Sequence, residues 1–223
     1  MNKIWAVIPA FNEEKNISKI ITSTIRYVDN VVLVDDGSKD KTAFFGERAG
    51  AIVLKHIINL GKGAALKTGC DYAMKNNANY IIVLDADAQH NPDNIPRFIG
   101  KLRKYDIVFS YRKTSKSMPL ILRFGNWIIS TIAQFLYGVK LNDTQCGFRA
   151  FSSNAYKKIR WNASDYSMES EMISRAGRQR LKYVQVPIET IYSDKYKGTT
   201  VIDGMKIVLN MFWWKILNGN NNR

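Results

Sequence analysis

Tyr80-Ile81-Ile82-Val83-Leu84-Asp85-Ala86-Asp87-Ala88-Gln89, residues 80–89, decides how the chain is read. Tyr80–Leu84 is a short apolar run rich in β-branched residues, and it reads as a buried strand. It ends in carboxylates. In extended chain, residues i and i+2 project to the same side, so Asp85 and Asp87 point together. Two carboxylates that close repel unless a cation sits between them or one takes a proton. A hard divalent ion, Mg²⁺ or Mn²⁺, answers that, and Gln89 at the next i+2 position adds a neutral oxygen. Such an ion, held by one or two carboxylates, completes its shell with substrate phosphates.

The pattern of apolar run followed by polar cluster recurs on both sides of this stretch. Lys3–Ile8 is a strand followed by Pro9-Ala10-Phe11-Asn12-Glu13. Asn12 is placed to cap a helix carrying Ile17, Ile20, Ile21, Ile25 and Val28 on one face. Val31–Val34 is a strand that runs into Asp35-Asp36-Gly37-Ser38, and Ser38 or Asp40 caps a helix through Ala49. Ala51–Leu54 and Asp106–Ser110 are further strands, and Lys62–Lys75 and Pro92–Lys104 are helices, the second with proline in its first turn. Strands alternating with helices of this length predict an α/β fold with a mostly parallel sheet covered on both faces. Ligands of such sheets bind at the carboxyl ends of the strands, where these three polar clusters converge.

Beyond residue 111 the alternation stops. Tyr111–Pro119 is a basic, polar loop, and Leu120–Tyr137 and Val201–Leu217 read as amphipathic helices. The expected organisation is one α/β domain over residues 1–200, with residues 201–223 a helix and tail. The 223 residues carry 33 Lys+Arg and 19 Asp+Glu, so the net charge is 33 − 19 = +14, which favours an anionic partner. With 46% hydrophobic residues the chain is not disordered, and Cys70 and Cys146 alone make no disulfide framework. The longest uncharged stretch, Phe124–Val139, has 16 residues, whereas a membrane-spanning helix takes about 20. Gly61-Lys62-Gly63 is not a P-loop, since Lys-Ser/Thr does not follow; it reads as a helix start near phosphate, with Lys62 a donor contact. His56 and His90 lack metal-ligand spacing, and Cys146 has no His near it in sequence to act as base.

Six segments together carry a family resemblance: IPAFNEEKNI (8–17), VDDGSKDKT (34–42), GKGAALKTG (61–69), LDADAQHNPD (84–93), DTQCGFRAF (143–151) and VPIETIY (186–192). In that order they resemble family 2 glycosyltransferases, in particular the dolichol-phosphate mannose synthases and dolichol-phosphate glucosyltransferases. The resemblance implies a nucleotide-sugar-binding GT-A fold. It also implies metal-dependent, inverting hexosyl transfer from a UDP- or GDP-sugar to a polyprenyl phosphate, at the cytoplasmic face of a membrane and without a spanning helix. Carried over position by position, it puts the nucleotide sugar along Pro9, Ala10, Phe11, Asn12, Glu13, Asp35, Asp36, Lys62, Asp85, Ala86, Asp87, Arg112 and Lys195. It matches Asp87 and Gln89 to the metal ligands, with Asp85 a donor-site carboxylate beside them and a further metal candidate, and Arg123 to an acceptor-phosphate arginine; Arg112, Arg149 and Lys197 are further cations available to the acceptor phosphate. Asp87, Arg112, Arg123 and Glu171 are its catalytic candidates. Lys195 stands where mannose synthases often have Arg, and Gly198-Thr199-Thr200-Val201 departs from their Gly-x-Ser-Lys. Asp143-Thr144-Gln145-Cys146-Gly147-Phe148, with Glu169 and Glu171, looks more like the glucosyltransferase branch.

Two other readings stay open on the sequence. One keeps the fold but takes a sugar hydroxyl as acceptor, with Glu169 or Glu171 as base. The other is a basic nucleic-acid-binding protein, which the acidic strand ends disfavour because they repel a phosphate backbone. For the polyprenyl phosphate reading, the amphipathic helices are expected to dock on a bilayer. Their apolar faces are Ile121, Phe124, Ile128, Ile132 and Phe135, then Ile207, Val208, Met211, Trp214 and Ile216. The oligomeric state is not set by the sequence.

Overall fold

The computed structural model describes residues 2–112, 120–189, 206–213 and 215. A seven-stranded sheet has the order β3-β2-β1-β4-β6-β5-β7. Its strands are β1 (Ile4–Ala10), β2 (Asn30–Asp35), β3 (Ile52–Lys55), β4 (Tyr80–Val83), β5 (Ile107–Arg112), β6 (Arg149–Ser152) and β7 (Tyr183–Ile188). β1 to β4 run parallel, as do β5 and β7, while β6 lies antiparallel between β4 and β5. The mostly parallel sheet read from the sequence is therefore present.

The period of two along the strands builds two cores. Trp5 and Val7 of β1 and Ile81 and Val83 of β4 face one core, while Ala6, Ile8, Ala10, Ile82 and Leu84 face the other. The first core is closed by α3 (Lys62–Lys75), α5 (Leu120–Tyr137), α6 (Ser153–Ile159) and α7 (Met168–Arg178). The second is closed mainly by α1 (Ile17–Ile25) and α4 (Ile95–Leu102), with α2 (Thr42–Arg48) beside them. Helices on both faces bury the central strands β1, β2 and β4 almost throughout, which explains their uninterrupted apolar runs.

Some expectations need correction. Asn12 caps no helix. It sits at φ 55, its N–H donates to Ser38 Oγ at 2.9 Å, and its Oδ1 accepts from the Lys39 N–H at 2.9 Å. It thereby ties the β1 end to the turn after β2, and α1 starts five residues later at Ile17. The helix expected from Pro92 opens as a 3-10 turn, Pro92–Asn94, under an Asn91 cap, and becomes α-helical at Ile95. β6, α6, α7 and β7 were not foreseen as elements. Residues 206–213 and 215 are helical, but Ile207 and Met211 are buried against the first core. Lys215 Nζ donates to the Leu136 carbonyl at 2.8 Å, and the Tyr137 hydroxyl donates to the Met211 carbonyl. The face expected to meet a bilayer is thus partly an internal one, and the outward residues are Leu209, Phe212 and Trp213.

Glycine 69 shows how closely α3 lies on the sheet. A Cβ there would stand 2.4 Å from Val7 Cγ1 and 2.9 Å from Val34 Cγ2. Gly69→Ala is expected to lose about 1–3 kcal/mol by overpacking, more than the roughly 1 kcal/mol of helix propensity it gains. Gly100 on α4 has nothing within 4 Å, so Gly100→Ala is expected to gain about 0.5–1 kcal/mol. Urea denaturation of the two variants checks the opposite signs.

Candidate active site

The sheet register sets the ends of β2, β1 and β4 side by side. Ala10 pairs with Asp35, the Asp36 N–H donates to the Ala10 carbonyl at 2.8 Å, and the Leu84 N–H reaches the Val7 carbonyl at 3.3 Å. The three polar clusters therefore line one crevice. At its floor an ammonium is held between two carboxylates from distant elements. Lys62 Nζ lies 2.8 Å from Asp85 Oδ1 and 3.0 Å from Glu169 Oε1. The Lys62 side chain is 17% exposed, Asp85 21% and Glu169 4%. Burial alone would lower the Lys62 pKa, but the Asp85 and Glu169 charges overcome that and raise it. Burial likewise pushes Asp85 up, and Lys62 with His90 pulls it below the usual carboxylate range.

Neighbouring backbone makes room for this group. A Cβ on Gly147 would lie 2.3 Å from Asp85 Oδ2, so only glycine lets the 143–148 segment close over the carboxylate. Gly61, at φ +94, and Gly63 admit the Ser164 and Ala163 carbonyls in the same way. The Ala64 N–H donates to the Ser164 carbonyl at 3.1 Å, and Lys62 Nζ stands 5.7 Å from the Tyr166 ring centroid. Asp36 fixes the turn before α3. It accepts from the Leu60 and Gly61 N–H groups at 3.0 and 2.8 Å and meets His56 Nδ1 at 2.6 Å, while His56 Nε2 meets Thr68 at 3.0 Å.

Asp87 sits at the mouth beside this floor, half-buried, with the Gln89 N–H donating to its Oδ1 at 3.0 Å. Burial and the Asp85 charge push Asp87 above the usual carboxylate range. That is the signature of a carboxylate short of positive charge. Glu169 Oε2 and His90 Nδ1 are buried polar atoms without a hydrogen-bond partner among the described residues. The donor set suits a hard cation. Among the described residues no cluster of three or more His, Cys, Asp or Glu side chains can hold a metal alone, so a cation here would take further ligands from water or phosphate oxygens. Asp87 and Gln89 are the accessible oxygens; Asp85, expected as a ligand, spends one oxygen on Lys62.

The remaining candidates separate. Pro9, Ala10, Ala86 and Asp35 are buried at the strand ends, Glu13 is nearly so, and Phe11 and Asn12 are exposed on the rim. Asp36 is buried and spent on the turn, not open to a ribose. Arg112, at the end of β5, grips Asp143 through Nε and Nη2 at 2.6 and 3.1 Å. Arg149, expected at an acceptor phosphate, is 1% exposed. It donates to the carbonyls of Thr144, Cys146 and Glu169 at 2.6, 2.9 and 3.2 Å, so it braces the 143–148 segment from inside. Glu171 faces away from Glu169, as residues two apart on a helix do. It takes both Arg175 nitrogens and the Asn162 and Ala163 N–H groups. Arg123 lies in α5 with its side chain outside the described residues, as are Lys195 and Lys197. Glu169 in contact with Lys62 was readable only as half of an acidic pair. Cys146 does have a histidine near it: Sγ is 3.7 Å from His90 Nε2. Burial and the Asp143 charge push that thiol up to about 11, so it is no nucleophile.

A mostly parallel sheet with an acidic crevice at its strand ends and one antiparallel strand inserted is the GT-A architecture of glycosyltransferases. Glucosyl-3-phosphoglycerate synthase from Mycobacterium tuberculosis shares it, at TM-score 0.76 and 20% identity over 94% of this chain and 80% of that one. The same enzyme has been solved with Mn²⁺, UDP-glucose and phosphoglyceric acid, at TM-score 0.75 and 21% identity over 96% of this chain and 79% of that one. The chain belongs to glycosyl transferase family 2, whose family model matches residues 5–160, and it is a glycosyltransferase. It is 38% identical to an uncharacterized protein of Methanocaldococcus jannaschii, over 96% of this chain and 93% of that one. It is 33% identical to UDP-N-acetylglucosamine--dolichyl-phosphate N-acetylglucosaminyltransferase of Methanococcus voltae, over 96% of both chains.

Lys62→Met tests the floor of the crevice. Removing one partner of a buried ion pair typically costs about 3–5 kcal/mol, and Asp85 is partly exposed, so a loss of about 3 kcal/mol is expected. In the native protein the lowered Asp85 pKa contributes stability above its unfolded value of about 3.9, lost as pH falls through the folded value. Without Lys62 the buried carboxylates prefer their protons. The variant's deficit is therefore expected to be largest near pH 7 and to shrink toward about pH 5. Thermal denaturation against pH reads it.

Proposed function

We propose that the protein transfers a hexosyl unit, with inversion, from a nucleotide sugar to a polyprenyl phosphate, using Mg²⁺ or Mn²⁺. One observation favours a phosphate acceptor over a sugar hydroxyl. Neither candidate base offers an accessible oxygen: Glu169 is on Lys62 with its other oxygen buried, and Glu171 is saturated by Arg175 and backbone N–H groups. A phosphomonoester, with a second pKa of about 6, arrives as a dianion and needs no base. The M. voltae relative, named for a UDP-sugar donor and a dolichyl phosphate acceptor, supports the same choice.

In this reading the nucleotide lies over Phe11 and the β1 and β2 ends, and the diphosphate over the N-terminus of α3. Asp87 and Gln89 hold the cation, which when bound neutralises charge on the leaving diphosphate. Lys62 keeps Asp85 ionised and immobile below the sugar. Arg112, oriented by Asp143, meets phosphate with a planar fork fixed in place. Arg123, Lys195 and Lys197 supply further positive charge to the acceptor.

We place the protein at the cytoplasmic membrane face as a peripheral enzyme. No helix among the described residues is long and apolar enough to cross a bilayer. On α5, Trp127 and Phe135 stand outward two turns apart, Phe135 86% exposed, and Leu209, Phe212 and Trp213 are exposed on the C-terminal helical segment. Aromatic residues at such positions suit the headgroup layer, where a lipid-linked phosphate lies.

Asp87→Asn is expected to keep the fold and cut metal-dependent transfer about a hundredfold or more, the scale of losing one transition-state contact. The polyprenol lacking its phosphate is expected to be inert in the same radiochemical assay; comparable transfer to a free hydroxyl would overturn the acceptor assignment. Separately, Trp127→Glu/Phe135→Glu is expected to remove most liposome binding by flotation while leaving the melting temperature unchanged.

A further inference from the structure

On the side of α7 away from Lys62 lies a cleft of about 690 Å³, within the range of roughly 300–1,000 Å³ usual for small-molecule sites. It opens between α6, the loop joining α6 to α7, α7 itself and the C-terminal helical segment. Lys158, Arg175 and Arg178 line it, with the side-chain amides of Asn162 and Gln179 and the indole of Trp213.

The charges in it are not balanced. Of its two acids, Glu171 is ion-paired and Asp165 is hydrogen-bonded through one oxygen. Glu171 takes Arg175 and two backbone N–H groups, and Asp165 Oδ1 takes the backbone N–H and hydroxyl of Ser167 at 2.9 and 2.5 Å. Lys158 and Arg178 pair with no carboxylate among the described residues. Three cations, Lys158, Arg175 and Arg178, against two acids, Asp165 and Glu171, leave the lining with a surplus of positive charge, which attracts an anion, and a guanidinium matches phosphate with paired N–H donors. The cleft is far larger than a bare phosphate fills. A lining that holds Trp213 together with Asn162 and Gln179 offers apolar area beside hydrogen-bond donors and acceptors, which suits the C–H groups and hydroxyls of a polyol.

We propose that this cleft is a second binding site, distinct from the catalytic crevice, for a phosphate ester of a polyol. That chemistry has two sources: the headgroup of an anionic phospholipid, or a soluble polyol or sugar phosphate. The α6–α7 loop forms a wall of both sites. Its residues 164 and 165 line the cleft, and the same residues lie against Gly61 and Gly63 beside Lys62.

The test uses the full chain and two probes. Calorimetry follows glycerol 3-phosphate, and flotation follows phosphatidylcholine vesicles with and without phosphatidylglycerol. Binding to at least one probe is expected, and Lys158→Ala/Arg178→Ala is expected to weaken it about tenfold, the scale of one charge-assisted contact to phosphate. Lys157→Ala/Lys182→Ala removes the same charge from exposed positions outside the cleft and is expected to bind like wild type. Arg178→Glu alone is expected to reproduce the loss. All of these positions are exposed, so melting temperature and basal transfer are expected to stay unchanged. A response confined to vesicles assigns the lipid source, and one confined to glycerol 3-phosphate assigns the soluble source. Absence of binding to both probes, or equal losses in the two double variants, overturns the proposal.

Discussion

Lys62 sits between Asp85 and Glu169, and the site is organised around that buried ammonium. The three groups come from the start of α3, the end of β4 and the first turn of α7. Three buried or half-buried charges are an expensive way to join elements, since each ion gives up several kcal/mol of hydration and an apolar cluster of equal volume is often as stable. The arrangement makes sense as positioning. It fixes a carboxylate, ionised, at the floor of a crevice, and the surrounding backbone is shaped to permit it. Gly147 leaves space above Asp85, Gly61 and Gly63 admit the 163–165 carbonyls, and Asp36 with His56 clamps the turn that aims Lys62.

The antiparallel strand β6 solves a second problem. A parallel sheet of β1 to β4 continued directly by β5 would leave no short path for the 143–148 segment to reach the strand ends. Inserting β6 between β4 and β5 delivers that segment to Asp85, where Gly147 lies against the carboxylate. Arg149, the first residue of β6, then converts a buried charge into a brace: its guanidinium collects three carbonyls of the segment and α7 and lies 5.4 Å from the Phe109 ring centroid. Arginine serves here because its spread charge is weakly hydrated and its fork reaches several acceptors at once.

This division explains what was legible in the sequence. β1 to β5 and α3 were readable because parallel strands buried on both faces are continuous apolar runs, and the acidic strand ends stood out against them. β6 was not, because its four residues begin with a charged one whose burial depends on carbonyls distant in sequence. α7 was hidden for a like reason: its buried face includes Glu169, Ser170, Glu171 and Ser174, which read as a polar segment. The basic candidates were chosen by resemblance, as Arg112 and Arg123 were, or by residue type, as Arg149 was. Sequence cannot show that Arg149 points inward or that Arg112 is already gripped by Asp143, since those facts belong to tertiary packing. Asn12 misled for a local reason: a residue suited to an N-cap is equally suited to a left-handed turn.

The electrostatics of the whole chain complement those of the site. A protein with a net charge of +14 nonetheless gathers Asp35, Asp36, Asp85, Asp87 and Glu169 around its crevice. The surplus of positive charge therefore lies elsewhere on the surface, where it favours anionic partners over distances that salt limits to about 10 Å. At contact the sign reverses: the crevice repels a diphosphate unless a cation arrives with it. Under the proposed function, long-range attraction and short-range refusal together would favour an anion that carries its own metal. Asp87, whose carboxyl is pushed up by burial and by the Asp85 charge, is where such a metal would be held.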